Sequence, residues 1–200
     1  MEHFPYGTAE IAHLARRDPA LGRAMRDIGR VERQVWPDVF QALTRSILAQ
    51  QIAAKAVETV WGRLEALAGE IAPMALAALA PEAVQGCGMT MAKARSLVAV
   101  ARLTASGQAD LNGLAALDDG QALKRLTALP GVGPWTAEMT LLFGLLRPDV
   151  LSWGDLAIRR GMARLYGLET LGRPFFEERR RTYSPHGSVA SLYLWRLAAK

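Results

Sequence analysis

Apolar positions recur at steps of three and four along most of this chain. In "PDVFQALTRSILAQQ" (37–51), Phe40, Leu43, Ile47 and Leu48 share one helical face. Pro37 suits the first turn, where a missing N–H costs nothing. "AAKAVETVWGRLEAL" (53–67) repeats the pattern with Val57, Val60, Trp61 and Leu64. "TMAKARSLVAVARLTASG" (90–107) reads as a helix capped by Thr90 and stopped at Gly107. "DDGQALKRLTAL" (118–129) opens on carboxylates that suit a helix N-terminus. Further helices are predicted from Pro134 to about Leu146, over "GDLAIRRGMARLYG" (154–167) and over "GSVASLYLWRLAAK" (187–200). The alanine-rich "APMALAALAPEAV" (72–84) is also compatible with a helix. No run of residues alternates in the manner of a strand between turns. The pattern predicts an all-α protein.

Composition narrows this reading. With 200 residues, half of them hydrophobic and 22% charged, the chain suits one sizeable domain or two small lobes. Cys87 is the only cysteine, which excludes an intramolecular disulfide and any four-cysteine zinc or iron–sulfur site. His3, His13 and His186 lack ligand spacing. "MEHFPYGTAE" does not read as a secretory signal. "LLFGLL" (141–146) is far short of the roughly 20 apolar residues that span a bilayer. A cytosolic protein is expected. The formal net charge of +5 favours an anionic partner, though weakly. Arg159, Arg160, Arg164, Arg173, Arg179, Arg180 and Arg181 face only Glu169, Glu177 and Glu178 in the same stretch. A solvated helix face and a phosphate-contacting surface both fit that cluster.

One interruption stands out. "LPGVGPWTA" (129–137) breaks the helical pattern with Pro130, Gly131, Gly133 and Pro134. The glycines can adopt positive φ or admit a close backbone approach. The amides of Gly131, Val132, Gly133 and Trp135 then lie beside a helix N-terminus, an arrangement that can hold an anion. A plain tight turn gives the same residues. Asp155 is the only carboxylate in "LSWGDLAIRRG" (151–161), and on its own it reads as an N-cap. Trp135, Trp153 and Trp195 fit core packing as well as they fit a site.

"LPGVGPWTA", followed 24 residues beyond Gly131 by Asp155 in "WGDLAIRRG", resembles the helix–hairpin–helix DNA glycosylase superfamily, and within it the 3-methyladenine DNA glycosylase II (AlkA-like) branch. "FQALTRSILAQQIAAKAV" (40–57) and "GMTMAKARSLVAVA" (88–101) resemble further segments of that family, in the same order. The likeness runs from about Asp18 to the end of the chain. Three departures bear on substrate range. Ala53 stands where the family commonly has Ser or Thr, Met139 stands where some members have a pocket tyrosine, and there is no room for the N-terminal α+β domain of larger members.

The resemblance implies one glycosylase domain over 1–200, with a lobe from both chain ends, a central helical lobe over about 40–150, and a cleft between them. It implies Asp155 as the catalytic carboxylate, stabilising the sugar cation that forms as the base departs. It implies Trp135, Trp195 and Met139 at the base pocket, where aromatic faces attract a cationic base. Gln51 matches the residue inserted into the stack when a nucleotide flips, with Gln50 as the alternative register. Gly131, Val132, Gly133 and Thr136 match the phosphate grip, and the backbone of Leu129 and Gly131 matches a monovalent cation site. No other cofactor and no iron–sulfur cluster is implied. The implied partner is double-stranded DNA with alkylated bases, met by a monomer in the cytoplasm, at the nucleoid, without a membrane.

In the lyase branch a lysine occupies the position of Trp135. Lys55, Lys93, Lys124 and Lys200 all lie elsewhere, so simple hydrolysis to an abasic site is expected. Three rival readings remain. The same fold could excise another lesion (uracil, hypoxanthine or a mismatched base), it could bind DNA without catalysis, or the chain could be a helical protein-interaction domain.

Overall fold

The computed structural model describes residues 2–36 and 38–199. Pro37, expected in a first helical turn, lies outside the described residues, as does Lys200. The helices in chain order are α1 (Thr8–Arg17), α2 (Pro19–Ile28), α3 (Val39–Ala49), α4 (Ala54–Ala68), α5 (Pro73–Ala77), α6 (Pro81–Gln85), α7 (Met91–Ala105), α8 (Asp119–Thr127), α9 (Pro134–Phe143), α10 (Leu156–Tyr166), α11 (Arg173–Tyr183) and α12 (Gly187–Ala198). A 3-10 turn covers Asn112–Ala116. Among the described residues the only extended pairing is an isolated bridge between His3 and Gln34. The chain divides into two compact units, one of Met1–Val35 with Leu146–Lys200 and one of Trp36–Leu145.

The central unit is built on α3. Its predicted apolar face is buried at Phe40, Leu43, Ile47 and Leu48, and it lies against α4, α7 and α9. A Cβ on Gly144 would stand 2.7 Å from Ala42 Cβ, so the end of α9 approaches α3 closely. Trp36 N–H donates to the Phe143 carbonyl at 3.0 Å, and the two rings meet edge to face at 5.8 Å. Thr90 caps α7 as expected, accepting from Lys93 N at 3.3 Å, and Asp118 caps α8, accepting from Gln121 N at 2.8 Å. Ala53 precedes α4 with no side-chain cap. The alanine-rich segment does not form one helix. Pro81 pushes Ala80 into extended backbone, and the segment splits into α5 and α6.

In the other unit, Asp18 joins two helices. It ends α1 and caps α2, its Oδ1 accepting from Ala20 N and Leu21 N at 3.0 Å each, an arrangement worth about 1 kcal/mol. Its Oδ2 accepts from the Tyr166 hydroxyl and pairs with Arg179 at 3.7 Å. Burial pushes Tyr166 up to about 12 and Tyr183 higher still, so both are neutral hydrogen-bonding groups. This network fastens α2 to α10 and α11. The tightest approach is between α10 and α12, where a Cβ on Gly161 would stand 1.9 Å from the Leu194 carbonyl oxygen. Only glycine fits there.

Candidate active site and hairpin

Asp155 closes the loop that enters α10. Its backbone sits in extended conformation, and its Oδ1 accepts from Ile158 N at 2.9 Å, so it is the N-cap of α10. The same oxygen accepts from Trp195 Nε1 at 3.2 Å. Asp155 is 8% exposed, and Trp195 is half-buried. Capping and site geometry therefore coincide in one carboxylate. The close contact at Gly161 explains how α12 brings Trp195 within reach of it.

The loop is pinned from the far side by residues that sequence reasoning passed over. Ser188 Oγ donates to the Arg147 carbonyl at 2.5 Å and accepts from Val150 N at 2.9 Å. Ser191 Oγ donates to the Val150 carbonyl at 2.8 Å. Asp149 accepts from Gly187 N at 3.0 Å and from Ser184 Oγ at 2.6 Å. Ser188 and Ser191 are fully buried and hydrogen-bonded, as buried hydroxyls must be. Small polar residues recurring in the apolar "GSVASLYLW" were the available signal.

The remaining aromatic and basic candidates separate by role. Trp153 packs edge to face on Phe176 at 5.1 Å, with the guanidinium groups of Arg159 and Arg173 on its ring at 5.0 and 5.8 Å. That is a structural cluster. Arg164 donates to the Leu197 and Ala198 carbonyls at 3.0 and 3.2 Å, and Arg179 serves the Asp18 network. Arg160, Arg164, Arg173, Arg180 and Arg181 are exposed while Arg159 and Arg179 are half-buried, so most of the basic stretch lies at the surface.

The hairpin lies in the central unit. Gly131 adopts φ 72°, while Gly133 is extended at φ −87° and caps α9. A Cβ on Gly131 would stand 2.6 Å from Ser96 Cβ on α7, whereas one on Gly133 would meet nothing within 4 Å. The two glycines are there for different reasons. The N–H groups of both make no hydrogen bond among the described residues, and both glycines are exposed. Val132 differs from expectation, since its N–H is spent on the Leu129 carbonyl at 3.2 Å. Thr136 also differs. It is 2% exposed and its hydroxyl accepts from Gln50 Nε2 at 2.9 Å, leaving only its backbone amide for a phosphate.

Gln50 is thereby assigned. Its Nε2 donates to the Gly131 carbonyl at 3.0 Å as well as to Thr136, and its own carbonyl accepts from Lys93 Nζ. Lys93 also donates to the Leu48 carbonyl at 2.9 Å, satisfying the end of α3, and desolvation lowers its pKa. Gln50 braces the hairpin from inside. Gln51, next to it, is exposed and holds φ 57°, a left-handed conformation that only a tight turn imposes on such a residue. Trp135 is half-buried in the first turn of α9, and Met139 is 3% exposed, a core side chain that could at most floor a pocket.

A model of the family described as HhH-GPD superfamily base excision DNA repair protein matches residues 44–182, which takes in the hairpin, Asp155 and α10. The chain belongs to this superfamily. It is 30% identical over 162 residues to DNA-3-methyladenine glycosylase 1 of Schizosaccharomyces pombe, spanning 78% of this chain and 71% of that protein. It is 28% identical over 169 residues to DNA-3-methyladenine glycosylase 2 of Escherichia coli, spanning 79% of this chain and 57% of that one. Among solved structures, the DNA-3-methyladenine glycosidase of Bacillus halodurans superposes with a TM-score of 0.84 at 33% identity, covering 100% of this chain and 94% of that one. The S. pombe 3-methyladenine DNA glycosylase in complex with abasic DNA superposes with a TM-score of 0.83 at 26% identity, covering 94% and 96%. The HhH-GPD fold expected from the hairpin and Asp155 is thus the fold of the chain.

Proposed function

We propose that this chain is a monofunctional DNA glycosylase that hydrolyses the N-glycosidic bond of alkylated, positively charged purines such as 3-methyladenine and 7-methylguanine. The observation that carries the reading is the Asp155 carboxylate, held as an N-cap and hydrogen-bonded by the Trp195 indole, in a member of the HhH-GPD superfamily. Support for the substrate class comes from the relatives, which bear the name DNA-3-methyladenine glycosylase.

The chemistry follows from charge. As the base leaves, the deoxyribose acquires oxocarbenium character, and a fixed carboxylate stabilises it and orients the attacking water. Because two N–H donors converge on Asp155 Oδ1, the carboxylate needs little reorganisation as that charge develops. An alkylated purine already carries a positive charge, so it departs without an acid to protonate it. Trp195, beside Asp155, offers an aromatic face to such a base, at roughly 0.5–2 kcal/mol for a good contact.

In this reading the Gly131 and Gly133 amides grip a backbone phosphate, and Gln51 fills the hole left by the flipped nucleotide. The Leu129 and Gly131 carbonyls each accept one hydrogen bond and keep a second lone pair, which fits a monovalent cation at the hairpin. Such an ion would supply positive charge beside the phosphate and take no part in bond cleavage. The reading includes a monomer acting in the cytoplasm at the nucleoid.

The test is release of free base from duplexes carrying a panel of modified bases, by the wild type and by Asp155→Asn. The amide keeps the cap and removes the charge, so excision is expected to fall by about 100-fold or more while duplex binding persists. Base release at the wild-type rate from folded Asp155→Asn would overturn the reading.

A further inference from the structure

Arg33 stands in a stretch fixed by the N-terminus. Phe4 N–H donates to the Arg33 carbonyl at 2.8 Å, Val35 N–H donates to the Glu2 carbonyl at 3.0 Å, and His3 bridges Gln34 between them. Arg33 is an exposed residue whose charged end is nonetheless largely desolvated, and its guanidinium carbon lies 5.5 Å from the centroid of the Trp195 ring. Trp195 Nε1 donates to Asp155 at 3.2 Å. A guanidinium, an indole and a carboxylate from three separate segments thus follow one another within one unit. That desolvation lowers the pKa of the charged end of Arg33, and the Asp155 carboxylate draws it back up, which places the two charges in each other's field.

An aromatic face that holds one cation resists a second, both by space and by repulsion. The charge placed on Trp195 here is also of the kind that an alkylated base or a sugar cation would bring. We propose that Arg33 is a specificity-determining placeholder, occupying the face of Trp195 beside Asp155 in the free protein and yielding it to a positively charged nucleotide. This inference rests on the glycosylase reading. Arg33 does no bond chemistry. It sets how strongly positive charge must bind in order to enter, so a cation gains less from the site than an uncovered Trp195 would give it, while a neutral nucleotide feels no such repulsion. The residue lies at the surface, and DNA offers phosphates to receive its side chain.

The probes are two unreactive duplexes, one with a pyrrolidine in place of the flipped sugar, protonated at neutral pH, and one with the uncharged tetrahydrofuran analogue. The quantity read is the ratio of their dissociation constants. Removing the resident charge in Arg33→Gln is expected to raise the preference for the pyrrolidine duplex by about five-fold. That gain should shrink as salt is added. Arg33→Lys restores a cation and is expected to return the ratio toward wild type. An unchanged ratio in Arg33→Gln, or a ratio in Arg33→Lys equal to that in Arg33→Gln, would overturn the placeholder. A wild type that excises alkylated bases while the ratio ignores position 33 sinks this inference alone. A wild type that releases no base from any duplex sinks the glycosylase reading and the inference with it.

Discussion

Gly131 and Gly133 lie two residues apart, yet one substitution should damage the protein and the other only its grip on DNA. At Gly131 an alanine meets two obstacles. Its φ of 72° is the left-handed region, costing roughly 1–2 kcal/mol for a residue with a Cβ. Its new Cβ would also stand 2.6 Å from Ser96 Cβ, an overlap that rotation of the serine hydroxyl cannot relieve and that costs about 1–3 kcal/mol. The sum is about 3 kcal/mol, which for a chain of this size lowers the melting temperature by about 6–12 °C. At Gly133 neither obstacle exists, since φ is −87° and nothing lies within 4 Å of the added carbon. Alanine is a poorer N-cap than glycine but loses less backbone entropy on folding, and these effects roughly cancel.

The exposed Gly133 N–H matters only if something outside the chain approaches it. If that is a phosphate, a methyl group there removes a charge-assisted hydrogen bond worth about 1.5–3 kcal/mol, or about ten-fold or more in affinity. Thermal melts followed by circular dichroism and anisotropy titrations of labelled duplexes at fixed salt separate the two effects. Gly133→Ala is expected to melt with the wild type and to bind damaged and undamaged duplexes equally poorly, because a phosphate contact carries no sequence information. Wild-type affinity in Gly133→Ala, or a loss confined to one lesion, would refute the phosphate grip.

Borohydride should trap no covalent protein–DNA adduct, and abasic strands should break only after hot alkali; efficient trapping would place an amine at the reacting sugar. Gln51→Ala should slow excision from duplex DNA about ten-fold more than from single strands, where no stack must be held open, and equal effects on both would remove Gln51 from the site. Gly161→Ala should force α10 from α12, lowering stability by about 1–3 kcal/mol and costing excision more than duplex affinity as Trp195 leaves Asp155, measured by melts and base release together.

Local sequence made α3, α4, α7, α8, α9, α10 and α12 legible, through apolar spacing in α3 and α4 and through boundary residues such as Thr90, Asp118 and Pro134 elsewhere. It did not reveal α1, α2 or α11. In α1 only Leu14 is buried, in α2 only Leu21, Gly22 and Met25, and in α11 only Phe176 and Tyr183. What holds these helices is the buried Asp18, which reaches Tyr166 and Arg179 about 150 residues away, a distance no local pattern spans.

The site shows the same limit more sharply. Asp155, Trp195 and the hairpin could be named because each sits in a local motif, yet what each does depends on partners that the motif does not contain. "AQQ" offers two equivalent glutamines, and only the fold separates them. Gln50 turns inward because the Gly131 carbonyl and the Thr136 hydroxyl await its amide, and Gln51 is then left in the turn with nothing to cap. Thr136 is drawn inside by the same bond, which is why a hydroxyl beside an anion-binding turn is not on its surface. Arg33 had no signal at all, being one arginine among many in an undistinguished stretch. Its meaning comes from the N-terminal residues that fix its backbone and the indole it covers. Local sequence can nominate the groups that touch a substrate. The groups that orient and guard them are chosen by tertiary contact, so in a fold whose halves of each contact lie far apart in the chain they emerge only from the assembled structure.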